Sequence, residues 1–139
     1  MSYEVTVRES TIKIKKELVK QALEDICNHQ KQHGTFQYCY FFNIEDINFN
    51  NYGIDDNTWS AIDIFHDCLG LVCKYEDDCL FIKRLRYDGL AEELDIFNVI
   101  APYCYDGGYM EFCGEDGELF RYTIKDESCI EQSPKIVWE

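Results

Sequence analysis

Two hydrophobic periods share the first third of the chain. Over residues 4–14, Val5, Val7, Ile12 and Ile14 are the apolar beats of a strand, interrupted by the polar kink Arg8-Glu9-Ser10-Thr11. From Lys15 the spacing becomes three and four. Leu18, Val19, Ala22, Leu23 and Ile26 form the stripe of an amphipathic helix, and Gly34 lies beyond its end. Residues 36–42 (FQYCYFF) are aromatic and read either as a strand or as a buried connector. Residues 44–57 contain INFNNYGIDDN, whose Asn, Asp and Gly read as turns. Asp56 or Asn57 is then the expected cap of a second helix, with Trp59, Ile62, Phe65 and Leu69 on one face. Asp63 and Asp67 turn away from that face, and Gly70 ends the helix.

Two short strands, 71–75 and 79–85, follow around the turn Glu76-Asp77-Asp78 and predict a hairpin. Leu90, Leu94, Phe97 and Ile100 recur at helical spacing over 89–101, with Pro102 as the stop. The last third alternates like a meander, with strands at 109–113, 118–125 and 128–132 and a short edge strand at 136–138. Gly114-Glu115-Asp116-Gly117 and Asp126-Glu127 are the turns, the Asp-Gly pair suiting a two-residue type I′ hairpin. The order β-α-β-α-β-β-α-β-β-β predicts one α+β domain over 1–139. About three helices pack on an antiparallel sheet that ends in a three-stranded meander.

The length of 139 residues suits a single domain, and 46% hydrophobic residues exclude a disordered chain. Residues 1–29 lack the apolar core of a signal peptide, and no apolar run approaches the ~20 residues that span a bilayer. A soluble cytoplasmic protein is the expectation. In that compartment the eight cysteines stay reduced and act as small hydrophobes, since most lie inside apolar segments.

The formal charge is −14, and it is unevenly spread. Residues 1–31 hold six Lys/Arg against five Asp/Glu, whereas 44–78 hold nine acids and one base, Lys74. Such a balance repels nucleic acid and anionic membranes and attracts basic proteins or cations. It also keeps a small protein soluble.

Catalytic and metal motifs are sparse. His29 and His33 lie four apart, with Cys27 and Cys39 around them; His66, Cys68, Cys73 and Cys79 form a looser group. No C-x2-C pair presents two thiolates to one zinc ion, so no metal ligand and no cofactor is assigned. Asp46, Asn48 and Asn50 imitate the start of a calcium loop, but Asn51 and Asn57 replace the required Gly and Glu. No nucleophile elbow, P-loop or dinucleotide fingerprint occurs, and no catalytic residue is assigned. His66 beside Asp63 or Asp67 is the one oriented base on offer. A hairpin tip of Glu115, Asp116 and Glu118, joined by Asp106, reads more simply as turn geometry than as a cation site.

From Val99 onward, IAPYCYDGGYMEFCGEDGELFRYTIKD and the final KIVWE resemble the C-terminal signature of a group of small uncharacterised proteins. These are carried by phages and mobile elements of gut-type bacteria. The I-A-P run, the aromatic after D-G, the G-E-D-G-E turn and the last aromatic-acid pair carry the likeness. STIKIKKELVKQALEDI resembles their strand-helix opening. Phe120 and Tyr122 depart from it, standing where a tryptophan pair is expected. The likeness implies no activity, but it implies a context shared with anti-CRISPR and anti-restriction inhibitors.

The resulting expectation is a non-enzymatic acidic protein that occupies the basic nucleic-acid-binding groove of a host protein, without binding nucleic acid or membrane itself. Its expected partner-binding face is Glu45, Asp46, Asp55, Asp56, Asp63, Asp67, Glu76, Asp77 and Asp78, with the tip Asp106, Glu115, Asp116 and Glu118 secondary. The alternatives are a homodimeric module pairing through aromatic strands, and a small metal-dependent enzyme.

Overall fold

The computed structural model describes residues 3–33, 47–48, 59–76, 78–87, 89–90 and 93–138. The aromatic run 36–42 and most of the turn-rich stretch 44–57 lie outside the described residues. The fold is α+β, as the order of elements predicts.

Strand β1 (Tyr3–Ser10) and strand β2 (Ile12–Lys15) replace the single kinked strand expected at 4–14. They belong to different sheets. β1 joins a five-stranded sheet of order β10-β9-β8-β1-β7, made with β7 (Gly89–Leu90), β8 (Tyr109–Gly114), β9 (Leu119–Lys125) and β10 (Ser128–Gln132). β2 joins a three-stranded sheet of order β2-β6-β5, with β5 (Leu71–Glu76) and β6 (Cys79–Leu85). All pairings in both sheets are antiparallel. A short parallel pair, β3 (Ile47–Asn48) with β4 (Trp59–Ser60), completes the strands among the described residues.

The switch between sheets has a local cause. A register shift between Val7 and Glu9 places Arg8 as an extra residue and bends the strand. Thr11 then bonds Tyr109 twice, its N–H to the Tyr109 carbonyl at 2.7 Å and its hydroxyl from the Tyr109 N–H at 3.0 Å. Gly108 lets the two segments touch: a Cβ there would stand 2.9 Å from the Thr11 carbonyl oxygen. Past this point Ser10 Oγ donates to the Ile82 carbonyl at 2.6 Å, and the Tyr105 N–H to the Lys13 carbonyl at 3.0 Å.

Helix α1 (Val19–His33) follows a 3-10 turn over Lys16–Leu18 and buries Val19, Ala22, Leu23, Ile26 and Cys27. Helix α2 (Ala61–Asp67) is capped by Ser60, not by Asp56 or Asn57 as expected from sequence. It buries Ala61, Ile64 and Phe65 against β5. Helix α3 (Glu93–Ile100) is shorter than the predicted 89–101, because Gly89 and Leu90 pair with Glu4 and Tyr3. The α-helix ends ahead of Pro102, as expected, and Pro102 sits in a 3-10 turn, Ala101–Tyr103, where its missing N–H is tolerated. α3 packs on α1 and β10, and the Asn98 side chain accepts the Cys129 N–H at 2.8 Å, satisfying a donor on that edge strand.

One core joins the five-stranded sheet, the three-stranded sheet and the three described helices. In the meander, Met110, Phe112, Tyr122, Ile124 and Cys129 face it, with Phe112 stacked on Phe120 at 5.0 Å and edge-on to Tyr122 at 4.9 Å. Phe97 of α3 meets Tyr122 edge-on at 6.1 Å, which ties helix to sheet. Burial pushes the Tyr122 phenol up from its ordinary value.

The two-residue hairpin turn expected at Asp116-Gly117 falls instead at Asp126-Glu127. The Gly114 carbonyl accepts the Gly117 N–H at 2.9 Å and the Gly114 N–H meets the Glu118 carbonyl at 2.8 Å, so Glu115-Asp116-Gly117 is a three-residue loop with only Gly117 at positive φ. The two-residue turn with two positive φ angles is Asp126-Glu127, at 52° and 63°. Residues 136–138 form no edge strand and stand exposed.

Candidate functional site

Of the nine acids expected to face a partner, Glu45, Asp46, Asp55, Asp56 and Asp77 lie outside the described residues. The other four do not share one open face. Asp63 is the third residue of α2, and its Oδ2 accepts both the N–H and the hydroxyl of Ser60, at 3.1 and 2.8 Å. The helix start consumes this carboxylate. Asp67, in the last turn, lies 2.8 Å from His66 Nδ1 and 3.9 Å from Arg86. His66 is thus oriented by Asp67 rather than by Asp63, on an exposed flank with its side chain 44% accessible.

Glu76 ends β5 among cations. Its carboxylate lies 2.9 Å from Lys74 Nζ and 3.9 Å from Lys13 Nζ. The hydrogen bond from Lys74, then the charges of Lys74, Lys13 and Lys83, hold its carboxyl below the ordinary glutamate range against the opposing effect of desolvation. Asp78 is exposed at the β5–β6 turn, where its carbonyl accepts the Lys16 N–H at 3.0 Å.

The secondary tip also divides. Asp106 precedes β8, and its Oδ1 accepts the Asp126 N–H at 2.9 Å, at the β9–β10 turn. Glu115, Asp116 and Glu118 follow β8, at its other end, roughly 20 Å away at ~3.3 Å per residue. Glu4, which sequence alone did not single out, joins them: Val5 pairs with Gly114, so Glu4 falls beside Glu115. Glu4, Val5, Thr6, Cys113, Gly114 and Glu115 line an open concavity of about 200 Å³. Glu4, Glu115, Asp116 and Glu118 make no ion pair among the described residues. The signal that could have found Glu4 is register, which a single strand does not carry.

On the outward face of the large sheet, charges are already matched. Arg121 Nε donates to Glu111 at 2.8 Å, Arg8 approaches Glu111 at 3.4 Å, and the Tyr109 hydroxyl bonds Glu9 while its ring lies 4.0 Å from Arg121. Among the described residues, no group of three or more His, Cys, Asp and Glu converges as metal ligands. Six of the seven described cysteines are buried as small hydrophobes, and burial raises Cys129 and Cys104 to about 12. Burial raises the Cys73 thiol as well. No described helix is long and apolar enough to cross a membrane.

Fold and surface together define an α+β protein whose exposed chemistry is charge and aromatic area. Comparison of the chain with protein-family models, curated proteins and solved structures finds no match.

Proposed function

We propose that this is a non-catalytic acidic binding protein that docks on the basic, nucleic-acid-binding surface of another protein. The observation that supports the reading is the acidic end of the large sheet, which makes no ion pair among the described residues. There Glu4 and Glu115 line a concavity whose other lining residues, Val5, Thr6, Cys113 and Gly114, carry no charge, and Asp116 and Glu118 lie in the adjoining turn. Carboxylates held on strand ends and a tight turn form charge-assisted bonds with Lys and Arg at little ordering cost. The net charge of −14 would steer the encounter. The likeness to phage-carried proteins makes a host nucleic-acid enzyme the class of partner to test, with an anti-CRISPR or anti-restriction type of inhibition as the sharper form.

The test is a pull-down of host nucleic-acid enzymes by the wild type and by a Glu4→Gln/Glu115→Gln/Asp116→Asn/Glu118→Gln variant. Washes run from about 0.05 M to about 0.5 M salt, over which screening tightens several-fold. Capture of such an enzyme that fades with salt and is lost in the variant is the expected result. Capture unaffected by salt and by the variant would sink the reading.

A second reading rests on its own observation. Ile136, Val137 and Trp138 are 81%, 78% and 91% exposed beyond the edge strand β10, which suits pairing between two copies. Light scattering over a concentration series tests it, and a strict monomer removes it.

A further inference from the structure

Five of the thirteen Lys and Arg residues of this acidic chain gather on one surface. Strand alternation sends Ile12, Ile14, Leu80, Ile82 and Cys73 of the small sheet into the core. Lys13 and Lys15 of β2, Phe81 and Lys83 of β6, and Lys74 and Glu76 of β5 therefore stand on the opposite, outer face. A register shift between Val72 and Cys73 leaves both Lys83 and Arg84 exposed. Among the described strand residues of this face, five cations meet one carboxylate, Glu76, which is already held by Lys74 and Lys13, while Asp78 lies exposed at the hairpin turn. Lys15, Lys83 and Arg84 make no ion pair among the described residues.

Aromatic rings are interleaved with these charges. Lys13, Phe81 and Lys74 form one cross-strand row, with the two ammonium groups 5.7 and 5.9 Å from the Phe81 ring centre. Lys15, on the same face, lies 5.5 Å from the Tyr105 ring. Tyr105 is 44% exposed.

We propose that this outer face of the small sheet binds single-stranded nucleic acid. Phosphates would be held by Lys13, Lys74, Lys83 and Arg84, and an unstacked base would lie on Phe81. A flat strand surface with rings between cations suits a chain whose bases are free to stack and whose backbone is anionic. A duplex keeps its bases inside, so it would gain the phosphate contacts but not the ring. An acidic polypeptide would likewise gain only the charges. The overall charge of −14 opposes a polyanion at long range, but a Debye length of about 8 Å at physiological salt confines the interaction to the local face. This surface lies beyond the β1–β2 junction from the acidic end around Glu4, so the two proposals stand on separate residues.

The test is fluorescence anisotropy of a labelled oligothymidylate of about 15 nucleotides, within the ~4–16-nucleotide footprint of small sheet domains. Binding is expected, with a logarithmic salt slope of about −2 to −3 for three or four displaced counterions. A Lys13→Gln/Lys74→Gln/Lys83→Gln variant should bind at least about tenfold more weakly. Phe81→Leu, which keeps the apolar bulk, should weaken strand binding roughly fivefold or more by removing the stacking ring. The Glu4/Glu115/Asp116/Glu118 amide variant should retain strand binding, which separates this surface from the protein-docking end. The proposal is overturned if the strand produces no anisotropy change, or if neither the Lys variant nor Phe81→Leu weakens binding. It is equally overturned if a duplex of the same length binds as tightly, or if polyglutamate competes as well as the unlabelled strand.

Discussion

Ser60 and Asp63 cap one another: the Ser60 hydroxyl accepts the Asp63 N–H at 3.1 Å while the Asp63 carboxylate accepts the Ser60 N–H at the same distance. The pair starts a helix of only seven residues, too short to hold itself by propensity. Ser60→Ala is expected to lower stability by about 1 kcal/mol, and Asp63→Ala by a similar amount. Urea denaturation measures both. The double variant should lose less than the sum, because each residue serves the same motif.

The contact between Gly108 and the Thr11 carbonyl makes a sharper prediction. A methyl group there meets backbone at 2.9 and 3.3 Å, which no rotamer relieves. Gly117, by contrast, has open space around it and only a φ of +84° to defend. Gly108→Ala should destabilise by about 1–3 kcal/mol through overpacking, more than the ~1 kcal/mol of backbone strain expected for Gly117→Ala. Equal losses in urea denaturation would show that the junction between the sheets yields readily.

Glu127 occupies a left-handed conformation, φ 63°, at the second position of the β9–β10 turn. Replacing it with glycine creates the Asp-Gly pair that such turns prefer. Relief of strain exceeds the added freedom of the unfolded chain, so Glu127→Gly should stabilise by roughly 0.5–1 kcal/mol. A thermal melt that moves down rather than up would contradict the assigned turn.

Tyr103 donates its hydroxyl to Asp25 of α1, and this bond, with burial and the Asp25 charge, lifts its phenol to about 12. The folded value lies above the ordinary tyrosine value of 10.0. The associated stability is therefore complete below pH 10 and is lost as pH rises through about 12. Tyrosinate absorbance should show a late-titrating group in the wild type. Asp25→Asn should move that group toward the ordinary range.

Most of the meander was legible, because Met110, Phe112, Tyr122 and Ile124 alternate with polar residues at the strand period. α1 was legible for the same reason at the helical period. The polar kink at Arg8–Thr11 was legible, but the change of sheet after it was not, since the Gly108 and Tyr109 contacts that hold Thr11 lie nearly a hundred residues away in sequence. The short strand Gly89–Leu90 reads as helix because Leu90 is in phase with Leu94 and Phe97, and only the pairing with Tyr3 and Glu4 claims it. Ser60 escaped notice as a cap because Asp56 and Asn57 offer the same chemistry a few residues earlier.

Sequence by itself determined the α+β class, the three helices, the meander and the acidic balance, all of which depend on local period or on composition. Which charges remain available to a partner was decided in the folded chain, partly by local pairs such as Ser60–Asp63 and partly by tertiary contacts such as Lys13–Glu76 and Asp106–Asp126. Asp63 went to a helix cap, Glu76 to two lysines, and Asp106 to a turn far from Glu115. Cross-strand register then gathered Lys13, Phe81 and Lys74 into one row, and Glu4 beside Glu115. Charge is counted along the chain, but its pairing depends on distances of a few ångströms between residues that only the fold brings together.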